Sequence, residues 1–154
     1  MLPVQPFRQT PTYCGPACLK MVLAYYGVHK TEKELARLCS TDRSGTRPEH
    51  LVRGAHKLGF HAVLKEHATL ADIKTYLSRK IPVIVDWFSA DEGHYSVVIG
   101  MDRTHIYLQD PELGKQRSID LQTFQRIWFD FSSEHIRTPK DLRLRLLIAI
   151  SPKK

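Results

Sequence analysis

A thiol that attacks carbonyl carbon needs a place where its anion is stabilised, a base within reach and a group that holds the base. Cys14 meets the first condition. An extended, proline-rich stretch over residues 1–13 leads into apolar positions 14, 17, 18, 21, 22 and 25, which is one face of an α-helix. Cys14 therefore opens a helix, where unpaired N–H groups and the helix dipole favour a thiolate and a neighbouring imidazolium would add to the effect. Gly15 beside it leaves room for another chain to come close. Cys18, one turn deeper, and Cys39, at the end of an apolar stripe, read as small buried hydrophobes. Three cysteines in all argue for free thiols in a reducing setting rather than a disulfide framework. A Cys14–Cys18 pair has no second pair at ligand spacing, so no metal is expected.

Of the eight histidines, His29, His50, His56, His61, His67, His105 and His135 lie in polar surroundings and read as surface residues. His94 differs: it opens the apolar strand HYSVVIGM after an acidic loop. The next strand ends at Asp110, and the two are joined by a turn near Asp102-Arg103. Antiparallel pairing across that turn puts residue 94 opposite 110, 111 or 112, so Asp110 lands beside His94. A plain two-residue turn would send the two side chains to opposite faces. A three-residue loop or a bulge is therefore predicted in this hairpin. Asp110 also precedes a proline and could be an ordinary turn starter. Asp86, at the end of a buried apolar run, is the rival acid; hairpin geometry favours Asp110.

The elements that must position these residues follow from capping and periodicity. The first helix starts at Cys14, with Pro16 in its first turn, and Gly27 stops it. A second starts at Thr31 with Glu34 completing a capping box, and a third at Thr46 with Glu49 and Pro48, running to about Leu58. Phe60, Ala62 and Leu64 alternate with polar residues as a short strand. Thr69 caps a helix carrying Leu70, Ile73 and Leu77. Ile81–Phe88 is a buried strand, Ser89–Gly93 a polar loop, His94–Met101 and Thr104–Gln109 a hairpin, and Lys115–Ile119 a further strand. Asp120 caps a helix through Trp128, and Leu142–Ile150 is a final strand. Helices first and an antiparallel sheet after them make an α+β fold in one domain over residues 1–154.

Composition fits that reading. The chain is 42% apolar and 25% charged, average for a globular protein. Its net charge of +7 comes from scattered Lys and Arg, which read as a solvated basic surface. No RNA-binding or zinc-finger signature is present, so no nucleic-acid partner is expected. No run reaches the roughly 18 apolar residues of a membrane span, and no signal peptide is visible, so a cytoplasmic monomer is expected.

The segment RQTPTYCGPACLKMVLAYYG, followed by GHYSVVIG, YLQDPELG and the distal FQRIW, resembles the bacteriocin-processing cysteine peptidases. These are papain-like enzymes that remove leader peptides after a Gly-Gly pair. The resemblance covers roughly residues 4 to 130. It implies a papain-like fold, with a helical N-terminal half packed on a C-terminal antiparallel sheet. It implies Cys14 as nucleophile, His94 as base, Asp110 as its orienter and Gln9 as an oxyanion-hole donor beside the Cys14 N–H. Many relatives have one more residue between the glutamine and the cysteine. No cofactor is implied. The expected function is a cysteine endopeptidase acting through a thioester on a peptide or protein substrate. The same triad could serve an acyltransferase, and the fold alone could serve a non-catalytic peptide-binding module. Many family members belong to peptide-exporting ABC transporters. Here there is no GxxxxGK[ST] phosphate loop, so a stand-alone enzyme or an excised domain is expected, with a membrane peptide exporter as partner in the second case.

Overall fold

The apolar stripe that begins at Cys14 forms helix α1 (Cys14–Tyr25) in a computed structural model that describes residues 1–132 and 136–153. Gly27 stops it with a φ of +85°, which side-chain-bearing residues resist. Helix α2 (Glu32–Leu38) starts on Thr31, whose hydroxyl accepts from the Glu34 N–H at 3.1 Å. Next come α3 (Pro48–Lys57), β1 (Phe60–Lys65) and α4 (Leu70–Ser78), the last opened by a reciprocal Thr69–Asp72 capping box. The second half holds β2 (Val83–Ser89), β3 (Glu92–Met101), β4 (His105–Asp110), β5 (Lys115–Asp120), α5 (Leu121–Ile127), β6 (Phe129–Phe131), β7 (Leu142–Leu144) and β8 (Leu146–Pro152).

Six strands make one antiparallel sheet in the order β1-β8-β2-β3-β4-β5, and β6 pairs with β7 separately. The fold is α+β, as expected. The helices do not all lie on one side, however. One apolar cluster joins Leu19, Leu23 and Leu51 of α1 and α3 to Ile84, Val97 and Ile148. The other joins Ile73 of α4 and Phe124 of α5 to Val83, Val85 and Leu147. The central strands are thus covered on both faces, which is why β2 and β8 read as nearly unbroken apolar runs.

Three local expectations need correction. Thr46 does not cap α3; Arg47 stands at the cap, because the Thr46 hydroxyl shares a hydrogen bond with that of Thr41 at 2.7 Å. The polar stretch Ser89–Gly93 is no loop: β2 and β3 are joined by a tight turn at Ala90-Asp91, with Ala90 at φ +57°, and Glu92 and Gly93 are already in β3. The strand expected over Leu142–Ile150 is broken at Arg145 (φ +51°), whose N–H donates to the Trp128 carbonyl. Its first part pairs with β6 and its second enters the large sheet. Of the seven histidines read as surface residues, His135 lies outside the described residues; the other six are exposed or half-buried.

Gly54 of α3 lies against the second helix's end, where a Cβ would meet the Cys39 sulfur at 2.6 Å. Gly54→Ala should therefore lower stability by about 1–3 kcal/mol through overpacking. In a Cys39→Ala background the same change should stabilise, because the sulfur is gone and alanine is the better helix former by about 0.5–1 kcal/mol. Urea midpoints of the four proteins check the sign reversal; equal effects in both backgrounds would refute the contact.

Candidate active site

Cys14 is the first residue of α1, after a Tyr13 that makes no side-chain cap. The N–H groups of that first turn are left for whatever negative charge lies there. The thiol is half-buried, whereas Cys18 and Cys39 are fully buried. Burial pushes the Cys18 thiol well up, with the charges of Cys14 and Asp110 adding to it. Burial likewise takes Cys39 to about 11. Both are inert core residues as expected.

The start of α1 is held from the strand side. A Cβ on Gly15 would meet Thr46 at 2.9 Å, so the close approach this glycine permits is to its own chain. The Thr46 carbonyl accepts from the Tyr95 hydroxyl at 2.8 Å. Tyr95 is the neighbour of His94, so one short chain of contacts links the start of α1 to β3.

His94 is 6% exposed and Asp110 1% exposed. Their side chains meet, with His94 Nε2 and Asp110 Oδ1 at 2.5 Å. The register explains how. Near the turn Met101 is opposite Ile106 and Gly100 opposite Tyr107; beyond a bulge at Ile99, Val98 is opposite Leu108 and Val97 opposite Gln109. The extra residue restores the parity that puts positions 94 and 110 on one face. The predicted bulge is present, and three residues, 102–104, separate the strands.

Burial pushes the His94 imidazole down, but the hydrogen bonds to Asp110 and Cys14 and the charges of both outweigh it and raise it to about 9. Asp110 shows the opposite balance. Burial pushes its carboxyl up, and His94, Arg117 and the Glu112 N–H together hold it below the usual aspartate range. Glu112 Oε2 lies 3.9 Å from His94 Nε2, so His94, Asp110 and Glu112 bring three potential metal donors together. Nε2 and Oδ1 are already committed to each other, and Arg117 Nη1 donates to Oδ2 at 2.9 Å. That donor set suits a hydrogen-bonded dyad better than a cation.

Gln9 reaches the same neighbourhood through its backbone. The extended N-terminal segment runs along the β3–β4 hairpin: Leu2 N–H donates to the Ile99 carbonyl, Gln109 Nε2 to the Val4 carbonyl and Gln9 N–H to the Pro111 carbonyl. The Gln9 amide nitrogen donates to the Thr10 carbonyl at 3.3 Å, and its Oε1 is buried without a partner. Asp86, the rival acid, does not reach the imidazole. It lies opposite Tyr95 and beside Asp130. Burial, then the charge and hydrogen bond of Asp130, push its carboxyl well up. Asp130 fills the space where a Gly93 Cβ would stand. Sequence reasoning missed Asp130 and Arg117. The first had no motif around it. The second was accessible: pairing β4 with β5 sets Lys115 opposite Asp110 and Arg117 opposite Leu108, diagonal to the acid.

Comparison with known proteins adds a family. A model of the peptidase C39 family matches residues 6–132. An uncharacterised protein of Methanothermobacter thermautotrophicus is 36% identical over 117 residues, 75% of either chain. The lactococcin-G-processing and transport ATP-binding protein LagD of Lactococcus lactis is 30% identical over 125 residues; these are 79% of this chain but 17% of LagD. Among solved structures, the peptidase domain of Streptococcus ComA, a bifunctional ABC transporter, superposes with a TM-score of 0.78 at 25% identity, covering 97% of this chain and 99% of that one.

The Asp86–Asp130 pair yields a test of the site's electrostatics. Folded Asp86 holds its proton more tightly than it does in the unfolded chain. The stability it contributes is present below the ordinary aspartate range and is lost as pH rises through its raised folded value. Asp86→Asn is neutral at every pH and donates to Asp130. The melting temperature of the variant should gain on wild type steadily from pH 4 upward. Parallel melting curves across that range would show that Asp86 is not held protonated.

Proposed function

Because the chain belongs to the peptidase C39 family and is a cysteine peptidase, we propose that it cuts peptide bonds with Cys14 as nucleophile, His94 as base and acid, and Asp110 as the group that orients the histidine. The observation that carries this reading is the buried His94–Asp110 hydrogen bond next to a thiol at a helix start. With Nε2 bonded to Asp110, Nδ1 is left for proton exchange with Cys14. His94 is thus placed to take the proton of the attacking thiol and later to return it.

The thiolate forms a C–S bond to the substrate carbonyl, and the oxygen takes the electron pair. The Cys14 N–H and the Gln9 amide stabilise that oxygen, each such donor being worth about 3–4 kcal/mol. His94 gives its proton to the leaving amine as the C–N bond breaks, producing a thioester. Water, deprotonated by His94, then adds to the thioester, and the C–S bond breaks to restore the thiolate. No step calls for a metal or an organic cofactor.

For substrate we propose a peptide precursor whose leader is removed after Gly-Gly. LagD is by its name a processing and transport protein, and a peptide exporter is the partner this reading implies. No helix among the described residues is long and apolar enough to cross a membrane.

Two experiments test the chemistry. A thiol-reactive probe should label wild type and Cys18→Ala equally and leave Cys14→Ala unlabelled; Cys14→Ala should also lose all cleavage of a peptide library, and Gln9→Ala should lose about 100- to 1,000-fold in kcat. Equal labelling of Cys14→Ala and Cys18→Ala, or cleavage that survives Cys14→Ala, would refute the assignment. The second concerns pH. The active form needs a protonated His94, so activity should fall on the alkaline side near pH 9. Asp110→Asn removes the charge that helps hold the proton, and its alkaline limb should move to lower pH. A limb unchanged in that variant would dissociate Asp110 from the base.

A further inference from the structure

The two oxygens of Asp110 have different partners. Oδ1 takes the His94 ring nitrogen and, at 3.0 Å, the Glu112 N–H. Oδ2, among the described residues, takes only Arg117 Nη1, at 2.9 Å. The Asp110 side chain has no exposure and that of Arg117 is one-third exposed, 34%, so this is a buried anion met by a cation that reaches in from the surface. The same guanidinium continues past the carboxylate. Its carbon lies 5.2 Å over the Trp87 ring. The Trp87 ring in turn sits edge-on to the His94 ring, centroids 5.6 Å apart. Trp87 is itself held by its Nε1–H, which donates to the Ser96 hydroxyl at 3.1 Å.

One side chain from β5 thus bonds the acid at the end of β4 and meets the indole that β2 projects against the His94 ring. It touches the acid directly and the imidazole through the indole. A carboxylate bonded through one oxygen can still turn about its χ2 axis; bonding the second oxygen to a planar donor removes that freedom. The ring below the guanidinium holds the cation from its other side.

We propose that Arg117 is a positioning residue of the peptidase: it locks the Asp110 carboxylate in the rotamer that aims Oδ1 at His94, and with Trp87 it clamps the imidazole between acid and indole. This rests on the Cys14–His94–Asp110 assignment above. The consequence is kinetic. An imidazole free to swing still admits substrate, so the loss falls on the chemical step and not on binding.

The test is a cycle on the purified protein with a peptide it cleaves, using Arg117→Ala, Arg117→Lys, Asp110→Ala and Arg117→Ala/Asp110→Ala. Arg117→Ala should lower kcat between about tenfold and 100-fold, with KM within about twofold. Added guanidinium ion at low millimolar concentration should recover part of the loss in Arg117→Ala and none in Arg117→Lys, which keeps the charge without the planar donor. In the Asp110→Ala background, removing Arg117 should change kcat less than twofold, since nothing is left to position. A full tenfold loss in that background, or a loss expressed mainly in KM, would overturn the proposal and leave Arg117 as a structural or substrate-binding residue. Unchanged kcat in Arg117→Ala would overturn it too. If Asp110→Ala alone retains wild-type activity, the triad assignment fails instead, and the two failures are told apart by that one variant.

Discussion

Side chains on a strand alternate between faces, so two residues on neighbouring strands can bond only when the register between them has the right parity. In the β3–β4 hairpin the turn by itself delivers the wrong one, with Gly100 opposite Tyr107. The extra residue at Ile99 corrects it. The carbonyl of Ile99 is met by the Leu2 N–H, so the bulge is also where the N-terminal segment docks. Two requirements are satisfied by a single inserted residue. His94 and Asp110 come to one face, and the segment carrying Gln9 is tied down along the same hairpin. Removing the bulge would undo the dyad without touching a residue in it.

The neighbourhood of Cys14 contains two buried aspartates whose carboxyls are pushed in opposite directions. Asp110 faces the His94 imidazole, a guanidinium and a backbone N–H, and stays ionised. Asp86 faces another carboxyl and is pushed toward its neutral form. Desolvation penalises both; what separates them is the supply of donors. A protein of net charge +7 still spends its cations selectively. Arg143 is engaged by Glu49 and Glu66, and Arg117 by Asp110. Burial alone therefore does not say whether an aspartate near a nucleophile is an anion.

Much of this was visible in the amino-acid order. Helix starts followed from Cys14, Thr31 and Thr69, and a stop from Gly27, because caps and breakers act locally. The pairing of His94 with Asp110 followed from hairpin arithmetic plus the demand that both side chains share a face. What escaped depends on distant partners. Thr46 looked like a cap, but its hydroxyl is taken by Thr41 and its carbonyl by Tyr95. Ser89–Gly93 looked like a loop because its composition is polar, yet Glu92 and Gly93 are strand residues. Leu142–Ile150 looked continuous because alternation does not reveal a kink at Arg145. Helices α4 and α5 gave no hint in sequence that they would cover the sheet's other face.

The large sheet is closed from the far end of the chain. Strand β8 lies between β1 and β2, pairing with both, although β1 and β2 are made some 60 to 90 positions earlier. During synthesis Cys14, His94 and Asp110 have all been joined by position 110, yet the strand that unites their supporting layers is not available until residues 146–152 emerge. Until then β1 and β2 each expose an edge able to pair with another chain. Translation thus separates the making of the site from its completion, and the vulnerable interval falls in that gap, when a nascent protein has most to gain from a chaperone.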